Sequence, residues 1–262
     1  MDLTALSTLS SITSKQASAT ENTEKKCTQL LDYLATHDNS RIRYHASDMV
    51  LNIHSDASYL SKKNARSRVA GNVFLGRKSD PSKPILLNGT IYIMCGILKF
   101  VVAPEAEDEL GALFLNCKEG IIMRLNLQEM GHPKPATPIH CDNMTATGIA
   151  NDTIKKQRSR SMEMRFFWVT DQVKNGVMDI QWHPGQENLA YYTIKQHDSK
   201  HHQIVRPWYI QEENSPRVLP CAANPSDLRG CVGTVSNGYN RTCPLPRIGV
   251  SLRHVDKVPR GK

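Results

Sequence analysis

The chain has 262 residues, 39% of them hydrophobic, with 33 Lys and Arg against 25 Asp and Glu, a formal charge of +8 and a pI near 9.1. That length can bury one sizeable core and leave irregular ends, and the basic balance suits polyanionic partners through counterion release, although an ordinary basic surface has the same net charge. No run approaches the roughly 18 apolar residues that span a bilayer, residues 1–16 lack a basic stretch followed by an apolar core, and the seven cysteines include no C-x-x-C pair, which argues against a membrane span, a secretory leader, a disulfide framework and a zinc knuckle. Reduced thiols in a cytoplasmic or nuclear protein are expected, and the Asn-x-Ser/Thr triplets at Asn88 and Asn143 are then chance matches.

Residues 1–22 are rich in Ser, Thr and Ala, bury too little to offset their ordering entropy, and are expected to be disordered. Cys27, Leu30, Leu31 and Leu34 recur at helical spacing and predict a short amphipathic helix within a connecting segment, 23–47, that leads into the main domain, 48–210. Met49, Leu51 and Ile53 alternate with Val50, Asn52 and His54, so period 2 predicts a strand ending at Asp56, with that acid on the face opposite the apolar triplet. Residues 69–75 and 90–102 are β-rich around a turn segment at 76–84, which completes a three-strand antiparallel meander.

Ala106, Leu110, Leu113, Cys117, Ile121 and Leu125 then predict a helix of about 25 residues, stopped by Gly131-His132-Pro133. A strand at 137–141 and a helix at 143–150 follow. Next come the basic loop Lys155-Lys156-Gln157-Arg158-Ser159-Arg160 and a helix whose Met164, Phe167, Trp168 and Val173 face inward. A strand with Val177, Ile180 and Trp182 and a last helix at 186–195 complete the domain, with Trp168 and Trp182 as core residues. Residues 211–262 are rich in Pro, Gly, Asn and Arg without periodicity and are expected to form a disordered basic tail.

Three acids punctuate this order: Asp56 after one apolar run, Glu109 inside the long helix, and Asp142 after a second apolar run. A carboxylate at a buried strand end costs several kcal/mol unless it serves a cation or a complete hydrogen-bond network. Each has a plainer alternative: a strand-end cap for Asp56, the helix dipole for Glu109, and an N-cap for Asp142. Lys155, Lys156, Arg158, Arg160 and Arg165 could track a phosphate backbone or form a solvated charge run, and His197, His201 and His202 could bind a transition metal or end a polar helix.

Over residues 36–210 the chain resembles the ribonuclease H region of copia-type LTR retrotransposon polyproteins, with a little of the reverse-transcriptase connection before it. The resemblance is carried by Arg43-Tyr44-His45-Ala46-Ser47-Asp48-Met49, His54-Ser55-Asp56-Ala57, Ala65-Arg66-Ser67-Arg68, Glu109-Leu110-Gly111-Ala112-Leu113-Phe114, Cys141-Asp142-Asn143, Met162-Glu163-Met164-Arg165-Phe166, Asn188-Leu189-Ala190 and Arg206-Pro207, in that order. It implies an α/β, ribonuclease H-like fold: a mixed five-stranded sheet in the element order β-β-β-α-β-α-α-β-α, with helices on both faces.

The resemblance also implies that Asp56, Glu109 and Asp142 are three of four catalytic carboxylates that bind Mg²⁺, with Mn²⁺ as substitute, and hydrolyse the RNA strand of an RNA–DNA hybrid. Such sites hold two ions about 3.5–4 Å apart. No small-molecule cofactor and no membrane is implied. The chain departs from the family where a fourth acid is expected after Asn188-Leu189-Ala190, because Tyr191 stands there, and a phenol with a reference pKa near 10 is a poor Mg²⁺ ligand. Glu187, one helical turn earlier, is the substitute the sequence offers, and on the long helix Glu107 competes with Glu109 for the ligand role. No Tyr-x-Asp-Asp polymerase word occurs, so the chain reads as a C-terminal fragment, and a catalytically silent nucleic-acid-binding remnant is the alternative function.

Overall fold

In the computed structural model the described residues are 2–62, 66–77, 85–98, 105–154, 163–195, 197–210 and 221–222. The elements run α1 (Leu6–Thr13), α2 (Glu21–Thr36), β1 (Val50–Lys62), β2 (Arg66–Gly76), β3 (Ile85–Leu86), β4 (Thr90–Ile97), α3 (Glu105–Glu129), β5 (Thr137–Cys141), α4 (Met144–Ala150), α5 (Glu163–Lys174), β6 (Met178–Trp182), α6 (Leu189–Ile194), α7 (Ser199–Val205) and β7 (Cys221–Ala222). Five strands form one mixed sheet in the order β4-β2-β1-β5-β6. The meander half is antiparallel, and β1 pairs parallel with β5, which pairs parallel with β6. This is the expected ribonuclease H-like α/β architecture, with β1 at the centre where the two halves meet.

Helices cover both faces of the sheet. On one, α3 lies across β1 and β2, and Leu51, Ile53, Val69, Val73, Leu110, Leu113, Ile139, Val169 and Met178 form the main core. Close approach at Gly71 sets the register of α3, because a Cβ there would lie 1.8 Å from Asn116 Oδ1. Asn116 Nδ2 donates to Ser55 Oγ at 2.9 Å and to the Ala70 carbonyl at 3.0 Å, so the helix is pinned to the two central strands. On the other face α6 packs over β1 and β2, with Ala190 and Ile194 against Ala70.

Several sequence expectations change. The segment expected to be disordered at 1–22 contains α1 and two short 3-10 turns, with Asp2, Leu3, Thr4 and Ser7 buried. Leu3 and Leu6 pack into an apolar cluster with Phe74, Leu189 and Tyr192, and polar contacts to distant residues, invisible to hydropathy, add to its order. Asp2 accepts from Tyr33 Oη at 3.0 Å and pairs with Arg206 at 3.3 Å; Ser7 Oγ donates to the Lys195 carbonyl at 3.1 Å; and the fully buried Arg68 donates to the Ser7 carbonyl and Ser10 Oγ. The helix expected at 24–35 is present as α2, but its Leu31 is exposed.

β1 continues past Asp56 to Lys62, because its antiparallel partner β2 extends beyond its parallel partner β5. In α5 the inward phase is offset from the one expected: Phe166 and Val169 are buried, whereas Met164 is 86% and Phe167 57% exposed. Trp168 still packs, edge-on against Phe114 with ring centroids 5.3 Å apart, but Trp182 is 44% exposed and is no core residue. The last helix, expected over 186–195, is a 3-10 turn at Gly185–Glu187 followed by α6, because Asn188 interrupts it as the N-cap of α6. Of the tail expected to be disordered, only Cys221–Ala222 is described, as a strand beside β3.

Candidate metal centre

The parallel pairing of β1 and β5 sets His54 opposite His140. Asp56 and Asp142 each lie two residues further on, so period 2 places both acids at the same end and face of the sheet, beyond the carboxyl end of β5. In α/β sheets that crevice is where ligands are held. The third acid arrives from α3: the backbone N–H of Ala57 donates to Asp56 Oδ1 at 2.9 Å and to Glu109 Oε1 at 3.1 Å, so one donor holds both carboxyls side by side. One ligand atom from each of Glu109, Cys141 and Asp142 lies within 4.8 Å of the other two. The acids singled out in the sequence therefore converge.

Burial makes this convergence electrostatically costly. Asp56 is 3% and Glu109 4% exposed, and Asp56 Oδ2 has no hydrogen-bond partner. Burial first, then the neighbouring Asp142, pushes the Asp56 carboxyl up to about 8. Glu109 is driven well above the carboxylate range by burial and by Asp56 and Asp142, and the half-buried Asp142 rises for the same first reason, with Glu105 adding to it. Like charges at close range in a dry site favour protonation until a cation neutralises them. The three carboxyls are hard oxygen donors, the chemistry that Mg²⁺ and Mn²⁺ take, so Asp56, Glu109 and Asp142 fit such an ion, while the Cys141 sulfur beside them is a soft donor.

Neighbouring backbone shapes the cluster. Asn143, not Asp142, caps α4, accepting from Ala146 N at 3.0 Å, which leaves the Asp142 carboxylate to the site. A Cβ on Gly185 would lie 2.4 Å from Asp142 Oδ2, so the absence of a side chain there makes room for that carboxylate. Asn188 Nδ2 donates to the Ser55 carbonyl at 2.7 Å, and Leu189 N donates to His54 Nδ1 at 2.9 Å. These two bonds fasten the start of α6 onto β1, one residue away from Asp56.

The fourth position carries no carboxylate. Tyr191 sits on α6 with the Lys195 ammonium 4.0 Å from its ring centroid, and the same ammonium eases ionisation of Asp56 and Asp142. Glu187 Oε2 lies 2.9 Å from His183 Nε2, and Glu187 is not among the groups that act on the Asp56 carboxyl. Of the two acids in question on α3, Glu109 meets Ala57 and the cluster, whereas Glu107 is only half-buried. Lys155, Lys156, Arg158 and Arg160 lie outside the described residues. Arg165 is half-buried with its guanidinium 5.8 Å from the Phe114 ring centroid, between α5 and α3. His197 and His201 stack on one another at 4.5 Å, and His202 joins Tyr33 and Tyr192 by hydrogen bonds.

Sequence reasoning missed Cys141, Glu105 and the buried Asp108 as neighbours of the three acids. Cys141 stood in the Cys141-Asp142-Asn143 word without a ligand role, and Glu105 and Asp108 were given no role beside the three acids. Also missed was a buried trio of imidazoles, His54, His140 and His183, with ring centroids 4.9 to 6.4 Å apart beneath the carboxylates. Its signal was present, since His54 and His140 each precede an acid by two residues.

Among solved structures the chain is similar to LC11-RNase H1 in complex with an RNA/DNA hybrid, at 10% identity over 53% of this chain and 88% of that one, with a TM-score of 0.38. The RNase H1 of the halophilic archaeon Halobacterium salinarum NRC-1 is similar at 11% identity over 57% and 94% of the two chains, TM-score 0.38. Prototype foamy virus protease–reverse transcriptase is similar at 9% identity over 61% of this chain and 20% of that one, TM-score 0.30. No family model and no curated protein matches the chain. Likeness this loose bears on no residue's role; the ribonuclease H-like class rests on the strand order and connections described above. Among the described residues no helix is long and apolar enough to cross a membrane.

Proposed function

We propose that the chain is a ribonuclease H-like domain descended from a copia-type LTR retrotransposon polyprotein, and that it cleaves the RNA strand of RNA–DNA hybrids in a divalent-cation-dependent reaction. The convergence of Asp56, Glu109 and Asp142 at one end of the parallel strand pair supports this reading above all else. Asp56, Glu109 and Asp142 would hold Mg²⁺, or Mn²⁺ in its place. A bound ion of this kind polarises a phosphoryl oxygen and lowers the pKa of water. The Ala57 N–H orients the Asp56 and Glu109 carboxyls, and Gly185 leaves space for that of Asp142. A basic chain supplies general attraction for the hybrid, and Cys27, Cys95, Cys117 and Cys141, none of them in a disulfide, suit a cytoplasmic or nuclear setting.

A second reading, hybrid binding without hydrolysis, is favoured by Tyr191 under the Lys195 ammonium, where the family has its fourth acid. Cleavage of a labelled RNA–DNA hybrid in Mg²⁺ and in Mn²⁺ by the wild type and by Tyr191→Asp separates the two. Slow cleavage by the wild type, accelerated in the variant, is the expected result. Cleavage by the variant alone would leave the binding-only reading for the natural chain, and inactivity of both would end the nuclease proposal.

A further inference from the structure

We propose that Cys141 turns this centre into a site for a thiophilic divalent cation such as Zn²⁺ or Cd²⁺, with Glu109, Asp142 and the Cys141 thiolate as ligands. The inference rests on the carboxylate-site reading and extends it to a different class of ion. Sulfur and carboxylate atoms of these three residues lie within 4.8 Å of one another, and Cys141 Sγ is 3.9 Å from Glu109 Oε2. A tetrahedral zinc ion bound to one thiolate and two carboxylates, at about 2.3 and 2.0–2.2 Å, requires a contraction of about 1 Å that side-chain torsions can supply.

A second observation points to a ligand here. Asp56 Oδ2, on a carboxyl 97% buried beside Glu109, has no hydrogen-bond partner, and this carboxyl borders the three-ligand set closely enough to act electrostatically on Cys141 and with Asp142. Soft thiolate ligands select zinc and similar ions, whereas Mg²⁺ gains nothing from sulfur and prefers carboxylate and water. Burial and the Glu109 carboxylate hold the Cys141 thiol well above its ordinary range, so the charge of the cation must drive its ionisation: the S–H bond breaks, the proton passes by way of the neighbouring carboxyls to solvent, and a sulfur–metal bond forms. The consequence is a centre that a thiophilic ion occupies in preference to Mg²⁺ and thereby blocks for hydrolysis.

The test is titration of the full chain with Cd²⁺, read by the ultraviolet thiolate-to-metal charge-transfer band, in wild type, Cys141→Ser and Cys141→Ala. Other cysteines contribute equally to all three, so the difference spectra isolate Cys141, and circular dichroism checks that each variant is folded; Ala retains an apolar group if Ser is not tolerated. Expected is a wild-type-minus-variant difference band that saturates at one Cd²⁺ per chain, with Cd²⁺ affinity at this site falling roughly tenfold or more in both variants. Binding of Mn²⁺, followed calorimetrically, should survive both substitutions. A flat difference spectrum with Mn²⁺ binding intact would overturn the thiolate ligand and leave the carboxylate site standing, whereas failure of both ions to bind would overturn both.

Discussion

Replacing Asp56 by Asn should stabilise the metal-free protein while removing a ligand. The Asp56 carboxyl is 97% buried, has one oxygen without a partner, and is raised from 3.8 to about 8 by burial and by Asp142. Because the folded state holds the proton more tightly than the unfolded chain, stability is fully present below about pH 4. It falls as the pH rises towards 8, and the loss is complete above that. The full shift corresponds to roughly 5–6 kcal/mol, and relaxation around the coupled acids reduces the measurable part to about 2–4 kcal/mol.

An amide at position 56 carries no charge and escapes this loss. Asp56→Asn should therefore match the wild type at pH 4 and melt roughly 5–10 °C higher at pH 8.5 in EDTA. Asp56→Asn also removes the charge that raises Glu109, so the difference between the pair reports the repulsion within the carboxyl cluster as a whole. Thermal and denaturant unfolding across that pH range, with and without Mn²⁺, is the assay. Mn²⁺ should raise the stability of the wild type and leave the variant nearly unchanged. Equal stability of the two proteins at every pH would refute the idea that the acids repel one another in a dry site.

Three further substitutions probe how the fold positions the cluster. Gly71→Ala drives a methyl group into Asn116, 1.8 Å from its Oδ1, and should destabilise by about 2–4 kcal/mol in denaturant unfolding, with loss of ion affinity as α3 and Glu109 shift. Asn188→Ala removes both the α6 N-cap and the bond to the Ser55 carbonyl, for about 2–3 kcal/mol, measurable by the same unfolding experiment. Gly185→Ala leaves the fold standing but displaces the Asp142 carboxylate, so calorimetry should show weakened Mn²⁺ binding with a melting temperature changed by only a few degrees.

The sheet and its long helix were legible because their signals are periodic. Alternation through Leu51 and Ile53 and the helical spacing from Leu110 to Cys117 each describe one face of one element. The three acids were legible for a related reason: each follows or interrupts such a run, and strand pairing then brings two of them into line. What escaped depends on contacts between distant residues. The ordering of residues 2–18 rests on Leu3 and Leu6 packing into a distant apolar cluster and on polar bonds to Tyr33, Arg68, Lys195 and Arg206, and composition says nothing of partners that in part lie some two hundred residues away.

The phase of α5 was missed because Phe166 and Phe167 are adjacent, and nothing local decides which of them faces α3. Trp182 was assigned to the core on its type alone, yet its ring is partly exposed while Nε1 donates to the Asp142 carbonyl at 3.0 Å. The break before α6 was readable in principle, since Asn188 is a strong N-cap residue and Pro184 and Gly185 precede it. That break is also what separates Glu187 from Tyr191 and gives Glu187 to His183.

The most direct test of the central claim is calorimetric titration of Mn²⁺ into the full chain and into its Asp142→Asn variant at neutral pH. Saturable binding by the wild type, lost or weakened at least roughly tenfold in the variant, is the expected result. Equal binding by both, or none by the wild type, would contradict a metal centre built from Asp56, Glu109 and Asp142.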